Sequence, residues 1–385
     1  MEACYLHQIA AVCALGNDIA TISEALFTTT VSPLKVVDGY LPEPGLPVGK
    51  VDVPLVADTR NNSLLAAALA PLRQAVEVLK QRYGAERIAV ILGSSTSGIA
   101  EGEAAVAHHL RTGEFPPGFH YQQQEMSAPA EFVARELQIL GPAWTISTAC
   151  TSSAKAIASG ARLLDLGVCD AVVVGGADSL CRLTLTGFSS LEAVSDTLCN
   201  PFSINRKGIN IGEAAALMIL SREPGAVRLA GYGETSDAYH ISAPHPEGRG
   251  AEAAMRTALA HAGLQPDDIS YINLHGTATE HNDQMESHAV ARVFGPNIPC
   301  GSTKPLTGHT LGAAGALEAL FCYLTLTDGD GRLPRHLWDG ERDPALAALS
   351  ALGAATIASP PRFAMSNSFA FGGNNIALIL ERCGE

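Results

Sequence analysis

Gly212-Glu-Ala-Ala-Ala-Leu-Met-Ile-Leu-Ser-Arg222 lies over Gly372-Gly-Asn-Asn-Ile-Ala-Leu-Ile-Leu-Glu-Arg382, position for position. In both, a glycine turn feeds an apolar run that stops at an arginine, as in a strand covered on both faces. A second echo pairs Ala156-Ile-Ala-Ser-Gly-Ala161 with Leu311-Gly-Ala-Ala-Gly-Ala316. Each copy follows a Ser-Thr turn, Ser147-Thr148 in one case and Ser302-Thr303 in the other. Helices so rich in Gly and Ala let backbones approach closely, which suits two central helices between sheets. The echoes point to a duplicated α/β unit.

Between the echoes, short apolar runs alternate with longer Ala-rich segments, the α/β pattern. The runs predict strands at Ile88–Leu92, Trp144–Ser147, Ala171–Val174, Tyr271–Leu274, Phe363–Asn367 and Ile376–Leu380. Helices are expected over Ser63–Gln81, Ser152–Leu166, Glu252–Ala262, Gln284–Val293 and Gly312–Thr327.

Composition narrows the function. Net charge is −14, from 39 acidic and 25 basic side chains, with no Lys/Arg-rich run, so nucleic acid is not an expected partner. The nine cysteines are Cys4, Cys13, Cys150, Cys169, Cys181, Cys199, Cys300, Cys322 and Cys383, scattered and without a C-x-x-C pair. That is the pattern of reduced cytosolic thiols. The opening Met1-Glu2-Ala3-Cys4 lacks a basic leader region, and no stretch reaches the roughly 18–20 apolar residues of a membrane span. A cytoplasmic protein with no membrane partner is expected.

Three segments carry chemistry. In Thr145-Ile-Ser-Thr-Ala-Cys150-Thr-Ser-Ser-Ala-Lys-Ala156 a strand ends, the chain turns sharply, and a helix starts with Cys150 at its mouth. Such an elbow exposes a nucleophile to free backbone N–H groups, and the helix dipole favours the thiolate. The other eight cysteines read as buried, inert thiols. In Ile272-Asn-Leu-His275-Gly-Thr277-Ala-Thr279, His275 stands at a strand end, where active-site groups collect. A metal reading from His275, Glu280, His281 and Asp283 lacks H-E-x-x-H spacing, and no metal is expected. In Gly301-Ser-Thr-Lys304-Pro-Leu-Thr-Gly308-His309, His309 precedes a small-residue helix, mirroring the Cys150 elbow. Duplication would bring the two helix starts face to face, and Gly308 would let backbone pass close to a ligand. The loop Gly93-Ser-Ser-Thr-Ser-Gly98 looks like a phosphate loop but lacks the Lys-Ser/Thr that must follow.

Together these segments resemble the elongating β-ketoacyl-acyl-carrier-protein synthases. The T-A-C-[ST]-[ST] nucleophile is similar to Thr148 through Ser152, H-G-T-x-T to His275 through Thr279, and K-x-x-x-G-H-x-x-G-A-A-G-x-x-E to Lys304 through Glu318. Asn367-Ser-Phe369-Ala-Phe371-Gly-Gly373 resembles the gating loop N-S-F-G-F-G-G, and the likeness runs from near residue 9 to near 382. It implies a thiolase fold: a duplicated five-layer α-β-α-β-α architecture, dimeric, with half 1–230 holding the nucleophile and half 231–385 holding both histidines in one compact unit.

The resemblance implies acyl transfer to Cys150, then decarboxylation of a malonyl group carried on acyl carrier protein and condensation. It implies His275 and His309 as donors to the thioester oxygen, and the Cys150 and Phe369 N–H groups as the oxyanion hole. Lys304 and Glu318 would be a supporting pair that orients His309, and Thr277 and Thr279 would bind the phosphopantetheine arm beside Phe371. No cofactor is expected beyond that arm. Two histidines separate the chain from initiating ketosynthases, which use Cys, His and Asn. Thiolases need a second cysteine, and Cys383 lies past the last expected strand. A non-catalytic chain-length subunit, or an acyl-binding scaffold of the same fold, is the alternative.

The chain also departs from the family. P-F-D-x-x-R-D-G-x-x-x-G-E-G-A-G reads Pro201-Phe-Ser203-Ile-Asn-Arg206-Lys207-Gly208 through Gly212-Glu213-Ala214, and G-D-x-x-E reads Asn282-Asp283-Gln-Met-Glu286. Ala370 and Asn374 replace Gly and Thr in the gating loop. The expected carrier-docking surface has only Arg60 between Asp58 and Ala70, and no Lys or Arg from Ser189 to Asn205. The expectation is a specialised ketosynthase of aryl-polyene or polyketide type, a homodimer or a heterodimer whose chain-length partner supplies docking surface. Fatty acid synthesis is the other pathway considered.

Overall fold

The computed structural model describes residues 3–40 and 45–384; Met1 and Glu2 of the leader reading lie outside them. Its strands are β1 (Cys4–Val12), β2 (Lys35–Val37), β3 (Leu46–Val48), β4 (Ile88–Gly93), β5 (Ala143–Ile146) and β6 (Ala171–Asp178). They continue as β7 (Ala214–Ser221), β8 (Val227–Ser236), β9 (Tyr271–Asn273), β10 (Cys300–Gly301), β11 (Phe363–Phe369) and β12 (Asn374–Arg382). Strands β2 and β3 form a separate hairpin, and the others run in the order β10-β9-β11-β12-β8-β1-β7-β6-β4-β5.

That order is a repeat. Read outward from where β1 and β8 pair antiparallel, it is β1-β7-β6-β4-β5 one way and β8-β12-β11-β9-β10 the other. Each half places its strands first, fifth, fourth, second, third, and the directions match as well. The first three strands of each half pair antiparallel, and the outer pairs run parallel. The first half ends at Ser221 and the second starts at Val227, so a division after residue 230 cuts through β8.

Alternation of side chains across each sheet builds the layers. Ala216, Met218 and Leu220 of β7 enter the central apolar cluster, and so do their echo partners Ile376, Leu378 and Leu380 of β12. The intervening Leu217 and Ile219 join an outer cluster with Leu64, Leu65 and Phe132, while Ala377 and Ile379 join another with Met255 and Val290. Five layers result: helices Arg60–Leu69 and Ala128–Leu137 outside one half-sheet, helices Arg249–Ala262 and Glu280–Phe294 outside the other. Helices Ser152–Asp165 and Ala314–Thr327 lie between. This is the thiolase fold.

The central helices touch through Gly315, where a Cβ would lie 2.6 Å from the Cβ of Ala154. Its echo partner Gly160 instead faces Val174 of β6, so the two glycines serve different contacts. The single helix expected over Ser63–Gln81 is two, Arg60–Leu69 and Arg73–Tyr83, joined by a tighter turn at Ala70–Leu72. Pro71 lies in that turn, and its missing N–H and ring interrupt the helical ladder.

Candidate active site

The three segments meet at the two helix starts. Cys150 follows β5, and Ala149 before it has a φ of 52°, a strained left-handed turn for a residue with a side chain. The turn is held by its own neighbours: Thr148 N–H donates to Ser152 Oγ (2.9 Å), Ser152 Oγ–H to the Ala149 carbonyl (2.6 Å), and Thr151 Oγ1–H to the Thr148 carbonyl (2.7 Å). Positive φ recurs at Ala278 beside Thr277 and at Leu311 beside His309, so strain is stored around all three segments.

Cys150 Sγ lies 2.9 Å from His309 Nε2. The Cys150 sulfur and one ring nitrogen each of His275 and His309 lie within 4.8 Å of one another. The two imidazoles meet edge to face at 5.2 Å, and the ring of Phe369, at the end of β11, stands 6.2 Å from His275. All four side chains are buried at the floor of a cleft of about 520 Å³ whose walls include Phe188, Leu191, Lys207, Thr277, Thr279 and Phe371. Thr277 and Thr279 share a hydrogen bond between their hydroxyls at 2.9 Å.

Burial governs the electrostatics. It pushes the Cys150 thiol up to about 12, against the smaller opposing pull of Lys304. The thiolate expected from the helix start is therefore not the resting form. Burial, then the charge of Lys304, holds His275 and His309 well below the usual imidazole value, so both rings are neutral at pH 7. A neutral imidazole against a neutral thiol is the arrangement from which a proton is handed over during attack.

The supporting side chains are built from more of the chain. Lys304 Nζ is buried, pairs with Glu318 and donates to the His275 carbonyl at 2.7 Å. It thus braces the His275 segment directly, while its own carbonyl receives the Gly308 N–H beside His309 (2.8 Å). Gly308 makes room for protein and not for a ligand: its Cβ would meet the Gly212 backbone at 2.8 Å. The His309 N–H donates to the Asn210 carbonyl at 2.6 Å and completes that seam.

Glu286, mentioned only as part of a departure, accepts the His275 and Gly276 N–H groups at 2.8 Å each. Asp178 carried no sequence signal beyond ending an apolar run. Its buried carboxylate takes the Ser95 and Thr96 N–H groups (2.9 Å each) and the Gly312 N–H (2.5 Å). The loop that looks like a phosphate loop therefore wraps an internal carboxylate and ties it to the second helix start.

The alternative metal set is dispersed. Asp283 is buried on the Phe202 and Ala278 N–H groups, while Glu280 and His281 are exposed. At the Ser203 departure the carboxylate comes from elsewhere: Asp339 Oδ2 accepts from Asn200 Nδ2, Ser203 Oγ and Asn205 Nδ2. Arg60 is not free to dock anything, because it pairs with buried Glu213 at 2.6 Å and donates to the Val51 and Val53 carbonyls. Among the described residues, no helix is long and apolar enough to cross a membrane.

Residues 60–226 match the model of the β-ketoacyl synthase N-terminal domain and residues 226–337 that of its C-terminal domain. The chain is 33% identical over 319 residues to 3-oxoacyl-[acyl-carrier-protein] synthase 2 of Staphylococcus aureus, covering 77% of this chain and 76% of that one. The chain is a β-ketoacyl synthase. The synthase is accordingly an acyltransferase that forms carbon–carbon bonds by decarboxylative condensation of a malonyl thioester with an acyl chain. It is also 35% identical over 308 residues to nodulation protein E of Rhizobium meliloti, with 77% of this chain and 76% of the relative covered. Among solved structures, the complex of the ketosynthase ApeO with its chain length factor ApeC from Xenorhabdus doucetiae matches at 47% identity. The match covers 99% of this chain and 98% of that one, with a TM-score of 0.93. A β-ketoacyl synthase from Burkholderia phymatum matches at 27% identity over the full length of both chains, with a TM-score of 0.82.

Proposed function

We propose that Cys150 carries the growing acyl chain while His275 and His309 activate the malonyl thioester, in a synthase that works with a chain-length partner. The observation that carries this is the 2.9 Å approach of His309 Nε2 to Cys150 Sγ with His275 beside it. The Cys150 sulfur attacks the acyl thioester delivered on phosphopantetheine. His309 relays the thiol proton to the departing pantetheine sulfur. Once acylated, the sulfur no longer offers that proton, and His309 holds its own hydrogen on Nε2. Malonyl thioester then enters along Thr277 and Thr279 and loses carbon dioxide. The C–C bonding pair becomes an enolate whose oxygen both imidazoles bind. The enolate carbon attacks the acyl carbonyl, whose oxyanion rests on the Cys150 and Phe369 N–H groups; as it collapses the C–S bond breaks, and the sulfur takes up one proton from solvent water. Lys304 and Glu318 hold the two histidine segments in place. Nothing beyond the carrier arm is required of a cofactor, and the free cysteines suit the cytoplasm.

Arg60 is engaged internally, and the segment from Ser189 to Asn205 offers no cation to an acidic carrier. The similarity to a ketosynthase in complex with its chain length factor supports a heterodimer in which the partner supplies carrier docking, of the aryl-polyene type. Intact-mass analysis after incubation with acyl carrier should show one acyl group, lost in Cys150→Ala. Product analysis with malonyl carrier, with and without a candidate chain-length partner, tests the pairing. Full activity of the chain alone, extending saturated acyl chains to β-ketoacyl thioesters, would overturn the pathway and keep the chemistry.

A further inference from the structure

The segment between β11 and β12 brings Phe371 to the cleft, where its ring meets Phe188 at 5.3 Å. Gly372 and Gly373, at φ of 81° and 75°, shape the turn. One side of the turn is tied to the loop after β8. The Gly372 N–H donates to the Ile241 carbonyl, the Asp237 N–H to the Gly373 carbonyl and Asn375 Nδ2 to Asp237 Oδ1, each at 2.8 Å. A further tie comes from the opposite direction: Lys155 Nζ donates to Asn374 Oδ1 at 2.8 Å. Lys155 stands in the first turn of helix Ser152–Asp165, five residues after Cys150. Glu234, the carboxylate whose charge acts on Lys155, is hydrogen-bonded by Arg162, which leaves the half-buried ammonium to the neutral amide. Asn374 is also one of the departures in this loop, standing where the resembled segment has threonine.

We propose that Lys155 and Asn374 form a latch that limits how far the Phe371 loop opens, coupling access to the cleft to the helix that begins at the nucleophile. The inference rests on reading the cleft as the condensing site. Both are positioning residues: neither touches a reacting atom, and each acts through the loop. A hydrogen bond from a partly exposed ammonium to an amide restrains such a loop by about threefold to tenfold.

The test uses the full chain, in the variants Lys155→Met, Asn374→Thr and the double substitution. Backbone hydrogen exchange in residues 370–374, read by mass spectrometry, should quicken by about threefold to tenfold in each single variant and no further in the double. Exchange within 152–165 should hold. Asn374→Asp, which turns the tie into an ion pair, should slow exchange in 370–374. Hydrolytic loss of the acyl group from Cys150 should rise with loop opening while the amount of acyl-enzyme formed stays constant. Multiplying effects in the double variant, or unaltered exchange in the singles, would overturn the latch. Exchange needs no turnover, so a latch signature in a chain that condenses nothing would count against the function alone.

Discussion

At the residue scale, the site works from neutral groups. Burial sets the Cys150 thiol at about 12 and both imidazoles below their usual range, so between about pH 6 and about pH 9 none of the three changes charge at rest. Condensation rates should change across that window only near pH 7, where burial has pushed up the Glu286 carboxyl that accepts the His275 and Gly276 N–H groups. Alkylation of Cys150 by iodoacetamide should keep rising with pH beyond it, because deprotonation lies higher. An inflection near pH 6.5 that persists in Glu286→Gln would mean that an imidazole is charged and titrating. His275→Ala, which removes one of the two proposed donors to the enolate oxygen, should cost about 3–4 kcal/mol of barrier in malonyl decarboxylation, measured as carbon dioxide release. It should leave acylation of Cys150 intact. His309→Ala should slow both steps, since its Nε2 also faces the sulfur.

At the scale of elements, the chemistry depends on two helix starts held at a fixed separation. Gly315→Val places side-chain carbon against Ala154 and forces the central helices apart. It should cost about 1–3 kcal/mol in denaturant unfolding, with activity falling further than stability, because Cys150 and His309 sit at those helix starts. Lys304→Met leaves Glu318 buried without its partner and should cost about 3–5 kcal/mol. Adding Glu318→Leu should restore most of the stability but not the rate, because the donor to the His275 carbonyl stays missing. Recovery of both would reduce the pair to a packing role. The elements themselves could be read from the sequence wherever apolar runs were long. β7 and β12 were visible as echoes, and helices Ser152–Asp165 and Ala314–Thr327 as small-residue stretches. Strand β8 was missed because glycines and polar side chains break its apolar run (Val227–Ser236), and β10 because it is two residues long.

At the scale of the molecule, the proposed heterodimer would leave it to the partner to serve the cleft. With Arg60 held by Glu213, rates with acyl carrier should depend strongly on the proposed chain-length partner, and charge reversal of basic side chains on that partner should raise the KM for carrier. Salt dependence of the same magnitude in the isolated chain would point to a docking surface on this chain. The sequence by itself determined the duplication and singled out Cys150, His275 and His309 as candidates, because each sits in a local pattern of strand end and turn that neighbouring residues dictate. Only the tertiary structure decided what those groups are like. The thiol is raised and not lowered because the fold buries it. Arg60 is silent because Glu213, 153 residues away, claims it. Asp178 closes the mock phosphate loop because the sheet carries it there. Burial and long-range pairing are properties of the packed chain, and no local window contains them.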